Sequence, residues 1–148
     1  MAVSDDARQD PGAVVCELTL PCDPRFRALR ECVVERLAAC LGCAEADAAA
    51  RAAALATSGL VEHPAGSAYS RVVMTFTAGG GVLTIRVRYL VDPGAAERVS
   101  GPGVESILSE GGSDAPLAVM RRLASRIEFG RVDGVECCTL VTPLPAAT

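Results

Sequence analysis

Cys40-Leu41-Gly42-Cys43 has the two-residue spacing at which paired thiols make a redox couple or half of a zinc site. A complete zinc site needs a second such pair or added imidazoles. The other close pair, Cys137-Cys138, is adjacent in sequence, and on a strand neighbouring side chains point to opposite faces. No metal site is therefore expected, and the thiols read as small, polarisable core fillers. Glu62-His63 sets a carboxylate beside the one imidazole of the chain, which is an acid–base pair in chemical terms. The plainer reading is a polar helix end. Arg121, Arg122 and Arg126, with Arg131 close by, would line a helix face able to dock an acidic partner; a solvated face is the alternative. Arg86 and Arg88 share a strand face with Thr84, on the exposed side of a sheet.

Missing residue types narrow the chemistry further. All 14 basic residues are Arg; there is no Lys, no Asn and no Trp, and Gln9 is the one Gln. Without Lys there is no P-loop, no Schiff-base chemistry and no Ser-x-x-Lys acylase. His63 alone rules out a zinc site built on two imidazoles. The net charge of -4 argues against nucleic acid as a partner. Hydrophobic residues make up 50% of the 148, enough for one globular domain. No apolar run approaches the roughly 20 residues of a membrane span, so no membrane partner is expected. Met1 to Pro11 is polar and lacks a basic-plus-apolar leader, which makes a cytoplasmic location the expectation. Seven Cys is an odd number, consistent with reduced thiols in that compartment.

The elements that must position these residues follow from periodicity and punctuation. Residues 1–12 read as a loose tail, 13–143 as a single domain and 144–148 as a second tail. Val14 to Leu20 reads as a strand. Asp23-Pro24 starts a helix, with Asp as N-cap and Pro at the first helical position. Phe26, Leu29, Val33, Leu37 and Leu41 form its apolar face, and Gly42 stands where a left-handed cap belongs. Ala44 to Leu60 is a second helix of high Ala propensity, with Ala48, Ala52, Leu55, Ala56 and Gly59 as its core face. Ser70–Thr77 and Val82–Val91 form a hairpin across three glycines, with Leu83, Ile85, Val87 and Tyr89 on one face. Asp92 to Asp114 is a Gly- and Pro-rich loop with a brief helical hint at Val104–Leu108, and loops this long are commonly functional or mobile. Pro116 opens a third helix, with Leu117, Met120, Leu123 and Ile127 inward and Arg121, Arg122 and Arg126 outward. Phe129 and Val135–Thr142 supply the last strands. Helices in this order, without regular βαβ alternation, predict an α+β two-layer sandwich: a mostly antiparallel sheet covered on one face by three helices.

This order and three local stretches resemble the GHKL (Bergerat-fold) ATPases, and within them the anti-sigma-factor serine kinases of partner-switching systems. The stretches are Glu17–Leu41, Leu55–His63 (LATSGLVEH, like the end of an N-box helix) and Leu117–Leu140; together they bring roughly residues 14–143 under the resemblance. The family binds ATP with Mg²⁺. The resemblance places Leu55 at the position of the family's general-base Glu and Gly59 at that of its Mg²⁺-holding Asn. Glu62 and His63 match the end of that helix. Asp92 stands for the adenine-recognising Asp, in an Asp92-Pro93-Gly94 that lacks the motif's second Gly; a shifted register would put Tyr89 there. Asp114 and Pro116 fall at the two Gly positions of the phosphate-cradling motif. An acid there repels phosphate, and Pro removes a donor. Gly111-Gly112, or Gly101 and Gly103 upstream, substitute only if the loop is re-laid.

The resemblance therefore implies a degenerate domain with no catalytic residues, since neither Leu55 nor Gly59 can move a proton or hold a metal. No cofactor is expected. The implied function is that of a non-catalytic, anti-sigma-like regulator that binds a protein partner, a sigma factor or its antagonist, and family habit implies a homodimer. The competing reading keeps ATP and Mg²⁺: a serine/threonine protein kinase with Glu62 as base, Asp92 for adenine and Gly94, Gly101 and Gly103 about the phosphates. Absent Asn weighs against it, because no realignment can restore the family's magnesium ligand.

Overall fold

Period-two alternation writes the strands, and a computed structural model, which describes residues 13–43, 45–63, 69–92 and 103–145, joins them in one sheet. The strands are β1 (Ala13–Pro21), β2 (Tyr69–Gly79), β3 (Val82–Val91), β4 (Arg126–Val132) and β5 (Val135–Pro143), in the order β1-β2-β3-β5-β4. Every neighbouring pair runs antiparallel. Four helices accompany the sheet among the described residues: α1 (Arg27–Cys40), α2 (Ala46–Val61), α3 (Val104–Ser109) and α4 (Pro116–Leu123). The chain is thus an α+β protein, with one helix more than the periodicity alone called for. None of these helices is long and apolar enough to cross a membrane.

Register decides which face is core. Leu18, Met74, Val87 and Cys138 lie in one row across β1, β2, β3 and β5, and Leu83, Ile85, Val87 and Tyr89 are buried while Arg86 is exposed. The outer face is polar: Glu17 accepts a hydrogen bond from Thr75 at 3.1 Å and pairs with Arg88 at 3.5 Å. Cys137 and Cys138 oppose Arg88 and Val87, so the adjacent thiols do face opposite ways. None of the seven Cys is in a disulfide.

The first helix begins as expected. Asp23 Oδ1 accepts the Arg25 N–H at 2.9 Å, Pro24 opens a single 3-10 turn, and α1 follows. Gly42, at φ +79°, closes it with a Schellman pair: Cys43 N–H to Ala38 O and Gly42 N–H to Ala39 O, both 3.0 Å. The Cys40-x-x-Cys43 spacing is therefore a helix cap, with Cys40 exposed and Cys43 buried.

The buried row of α1 differs from the expected one. Arg30, Val34 and Ala38 are fully buried, whereas Leu29 is 45% exposed and Val33 and Leu37 are half-buried. α2 packs against α1 from the side, which rotates the core-facing stripe by about one residue and carries a guanidinium inward. The face of α2 is also wider than its small-residue stripe: Ala49, Ala50, Ala52, Ala53, Ala54, Ala56, Thr57, Ser58 and Leu60 are all buried, while Ala48, Leu55 and Gly59 are half-buried. A helix buried nearly all round needs small side chains, and Ala supplies them at no cost in helix propensity.

The third expected helix is shorter. α4 stops at Leu123; Ala124 is extended and Ser125 N–H bonds Val141 O at 3.1 Å. Ile127 and Arg126 consequently lie on β4, opposite Leu140 and Val141. Leu123 and Ile127 satisfy a helical spacing, but pairing with β5 wins the segment. Leu144 N–H bonds Gly81 O at 2.8 Å, one residue beyond β5.

Burial holds the Cys22 thiol up at about 11 and the Cys138 thiol up at about 12, from an ordinary 9.0. Both stay protonated in the fold while the unfolded chain begins to ionise. Their contribution to stability is complete below pH 9 and is lost as pH rises from there through 11 and 12. Thermal unfolding across pH 8–11 will show a falling Tm, and the Cys22→Ala/Cys138→Ala variant will show a flatter slope.

Candidate functional site

Three groups must converge if the resemblance is to yield a nucleotide site: the end of α2, the end of β3 and the glycines before a helix. At the end of α2, Leu55 is half-buried and packs against the core. One turn on, Gly59 faces α3 and α4 closely. A Cβ built there would lie 2.7 Å from Leu108 Cδ2 and 2.9 Å from Pro116 Cγ, both inside van der Waals contact. Gly59 is thus the close-approach point that lets α3 and α4 lie on α2, and the space at the position the resemblance would give to a metal ligand is taken by Leu108 and Pro116.

Glu62 is exposed and lines a cleft with Pro24, Arg27, Arg30, Ser58 and Val61. His63 Nε2 hydrogen-bonds Glu110 Oε2 at 3.0 Å, tying the end of α2 to the end of α3. Asp92 is exposed just past β3. Tyr89, the shifted-register candidate, is 1% exposed and donates its hydroxyl to Ala56 O at 2.8 Å, while its ring meets Tyr69 edge-on at 6.2 Å. It fastens β3 to α2 and is closed to any ligand. Gly94 and Gly101 lie outside the described residues, as does the rest of 93–102.

Gly103 is described, and its surroundings are the most informative part of the molecule. It is the N-cap of α3, where an orphan N–H would meet a phosphate in a glycine-loop site. Here the acceptor is internal. Glu136 Oε2, from β5, takes the Val104 N–H at 2.8 Å and the Tyr69 hydroxyl at 3.1 Å. Its other oxygen, Oε1, accepts from Arg131 Nη2 at 3.1 Å, and Arg131 Nη1 reaches Gly134 O at 3.1 Å. The Glu136 side chain is 11% exposed, so this carboxylate is nearly buried with three donors arranged about it. Burial, and then the Glu136 charge, raise the Tyr69 phenol above its ordinary value, so it remains a donor. A Cβ on Gly103 would stand 3.3 Å from Glu136 Oε1, so any other residue would need the carboxylate to give by a few tenths of an ångström.

Sequence reading missed Glu136. The available signal was the cross-strand pair that Arg131 and Glu136 make around the Asp133-Gly134 turn, where Asp133 and Gly134 take φ 55° and 80°. Gly111 and Gly112, at φ 116° and 62°, serve the turn between α3 and α4, and Pro116 is the first residue of α4. Pro116 has no N–H to offer a phosphate at that helix start. Among the described residues, no group of three or more His, Cys, Asp and Glu is placed to hold a metal ion.

The basic cluster divides. Arg121 and Arg122 are exposed in the last turn of α4, where they complement the negative end of the helix dipole. Arg126 sits on β4 and pairs with its neighbour Glu128 at 3.0 Å, so it does not extend their helical face. No family model matches this chain, and no curated protein matches it either.

Replacing Gly59 tests the close approach. Gly→Ala inside a helix ordinarily stabilises by about 1 kcal/mol. Overpacking against Leu108 and the stiff Pro116 ring costs about 1–3 kcal/mol. Gly59→Ala will not raise Tm, and Gly59→Asn will lower it by about 2–4 °C for each kcal/mol lost.

Proposed function

We propose that this chain is a non-catalytic, anti-sigma-like partner-switching regulator, a degenerate GHKL-type domain that works by binding protein. The observation that carries this reading is the Glu136 carboxylate, which holds the Val104 N–H at 2.8 Å where a nucleotide phosphate would be received. Gly59 beneath Leu108 and Pro116 supports it from the other side, because no metal ligand can be fitted there. Both losses are filled positively, by groups that stabilise the fold.

Binding then works by occupancy. The exposed guanidiniums of Arg121 and Arg122 offer two adjacent cations to an acidic surface on the partner, and a competitor for the same surface releases it. The partner class is a sigma factor or the antagonist domain that competes with one, in a cytoplasmic setting. Charges at an exposed face act chiefly on the association rate and its salt dependence.

Titration of the protein with Mg²⁺-ATP by calorimetry, with thermal unfolding in parallel, checks the reading. No heat of binding and no Tm shift up to millimolar nucleotide is the expected result. Micromolar affinity that depends on Mg²⁺ would contradict it and favour the kinase.

A further inference from the structure

An open sheet has unpaired N–H and C=O groups along its outermost strands, which here are β1 and β4. β1 is blunted: its register shifts between Val14 and Cys16, and it ends in Pro21. β4 is not. It pairs with β5 from Arg126 to Val132 without a shift, contains no Pro, and has no described strand on its other side. The Asp133-Gly134 turn fixes which backbone groups are free. In a two-residue turn the flanking residues, here Val132 and Val135, form a hydrogen-bonded pair. Alternation then bonds Gly130, Glu128 and Arg126 to β5, and turns the N–H and C=O of Ile127 and Phe129 outward.

We infer that β4 pairs antiparallel with β4 of a second copy of this chain, in the register that sets Ile127 opposite Ile127. That register places Arg126 opposite Glu128 of the second copy, and Glu128 opposite its Arg126. Both residues stand on the exposed outer face and already pair along β4 at 3.0 Å. The four charges therefore form a square in which every neighbour, along or across the strands, is opposite in sign. They occupy non-hydrogen-bonded positions, where facing side chains approach most closely. On the inner face, Ile127 and Phe129 are half-buried against the core, and an added strand covers the apolar surface that the edge leaves open. Centring the pair on Phe129 instead sets Arg126 opposite Val132 and Glu128 opposite Gly130, and brings the two Glu128 carboxylates onto a diagonal. Charge thus selects the Ile127 register. Inner residues then meet inner residues, so the two sheets run on as one with both sets of helices on the same side. This self-pairing stands apart from the partner-binding reading and does not depend on it.

Sedimentation velocity of the full chain under reducing conditions, from about 1 µM to about 1 mM, tests the pairing, because so small an interface gives a weak dimer. The wild type will pass from monomer to dimer across that range, and its Ile127 and Phe129 amides will exchange more slowly as concentration rises. Arg126→Glu makes this part of the outer face wholly acidic, and Glu128→Arg makes it wholly basic. Each variant alone will associate at least about tenfold more weakly than wild type, with an unchanged circular dichroism spectrum. An equimolar mixture of the two will dimerise again, since acid then faces base at both positions. Three results overturn the proposal: a wild type that stays monomeric, a single variant that dimerises as well as wild type, or a mixture of folded variants that associates no better than its components.

Discussion

A nearly buried carboxylate must find donors, and Glu136 finds them on three segments. It reaches α3 through the Val104 N–H, β2 through the Tyr69 hydroxyl and β4 through Arg131, while its own backbone is paired with Tyr89 on β3. Removing any one donor leaves charge in a place that solvates it poorly, which is why such clusters hold their geometry. The consequence is architectural. α3 is only six residues long and has no side-chain cap from its own turn, so a carboxylate from the sheet anchors its first N–H. The start of α3 is thereby pinned against β5.

With α3 fixed, the packing of α2 follows. Leu108 and Pro116 descend onto Gly59, and the row of Ala residues on α2 accepts α1 and the sheet at the same time. Tyr89 completes the arrangement by bonding Ala56 O from the sheet side. Leucine, proline and an internal anion thus occupy the region where the proposed reading would otherwise put a nucleotide. The proposed protein-binding role asks only for surface.

Much of the fold was legible from local rules. The Asp23-Pro24 start, the Gly42 cap, the triple-glycine hairpin and the inward row of β3 all depend on neighbours close in sequence, where propensity and turn chemistry act. What failed depended on distant contacts. Arg30 is inside because α2 turns the face of α1, and no spacing in α1 reports that. Ile127 joined β4 because Leu140 stands opposite it, although its distance from Leu123 suits a helix equally well. In the candidate site, the residue types at Leu55 and Gly59 were readable at sight, and on the proposed reading they count as losses. The residue that fills the loss was not, since Glu136 lies 32 positions from the N–H it accepts.

Amide hydrogen exchange at Val104 reports on the Glu136 contact itself. Exchange will be slow in the wild type, no slower when Mg²⁺-ATP is added, and fast in Glu136→Ala while amides of β2 and β3 stay protected. A Val104 amide that exchanges freely in the wild type, or that nucleotide protects, would contradict it.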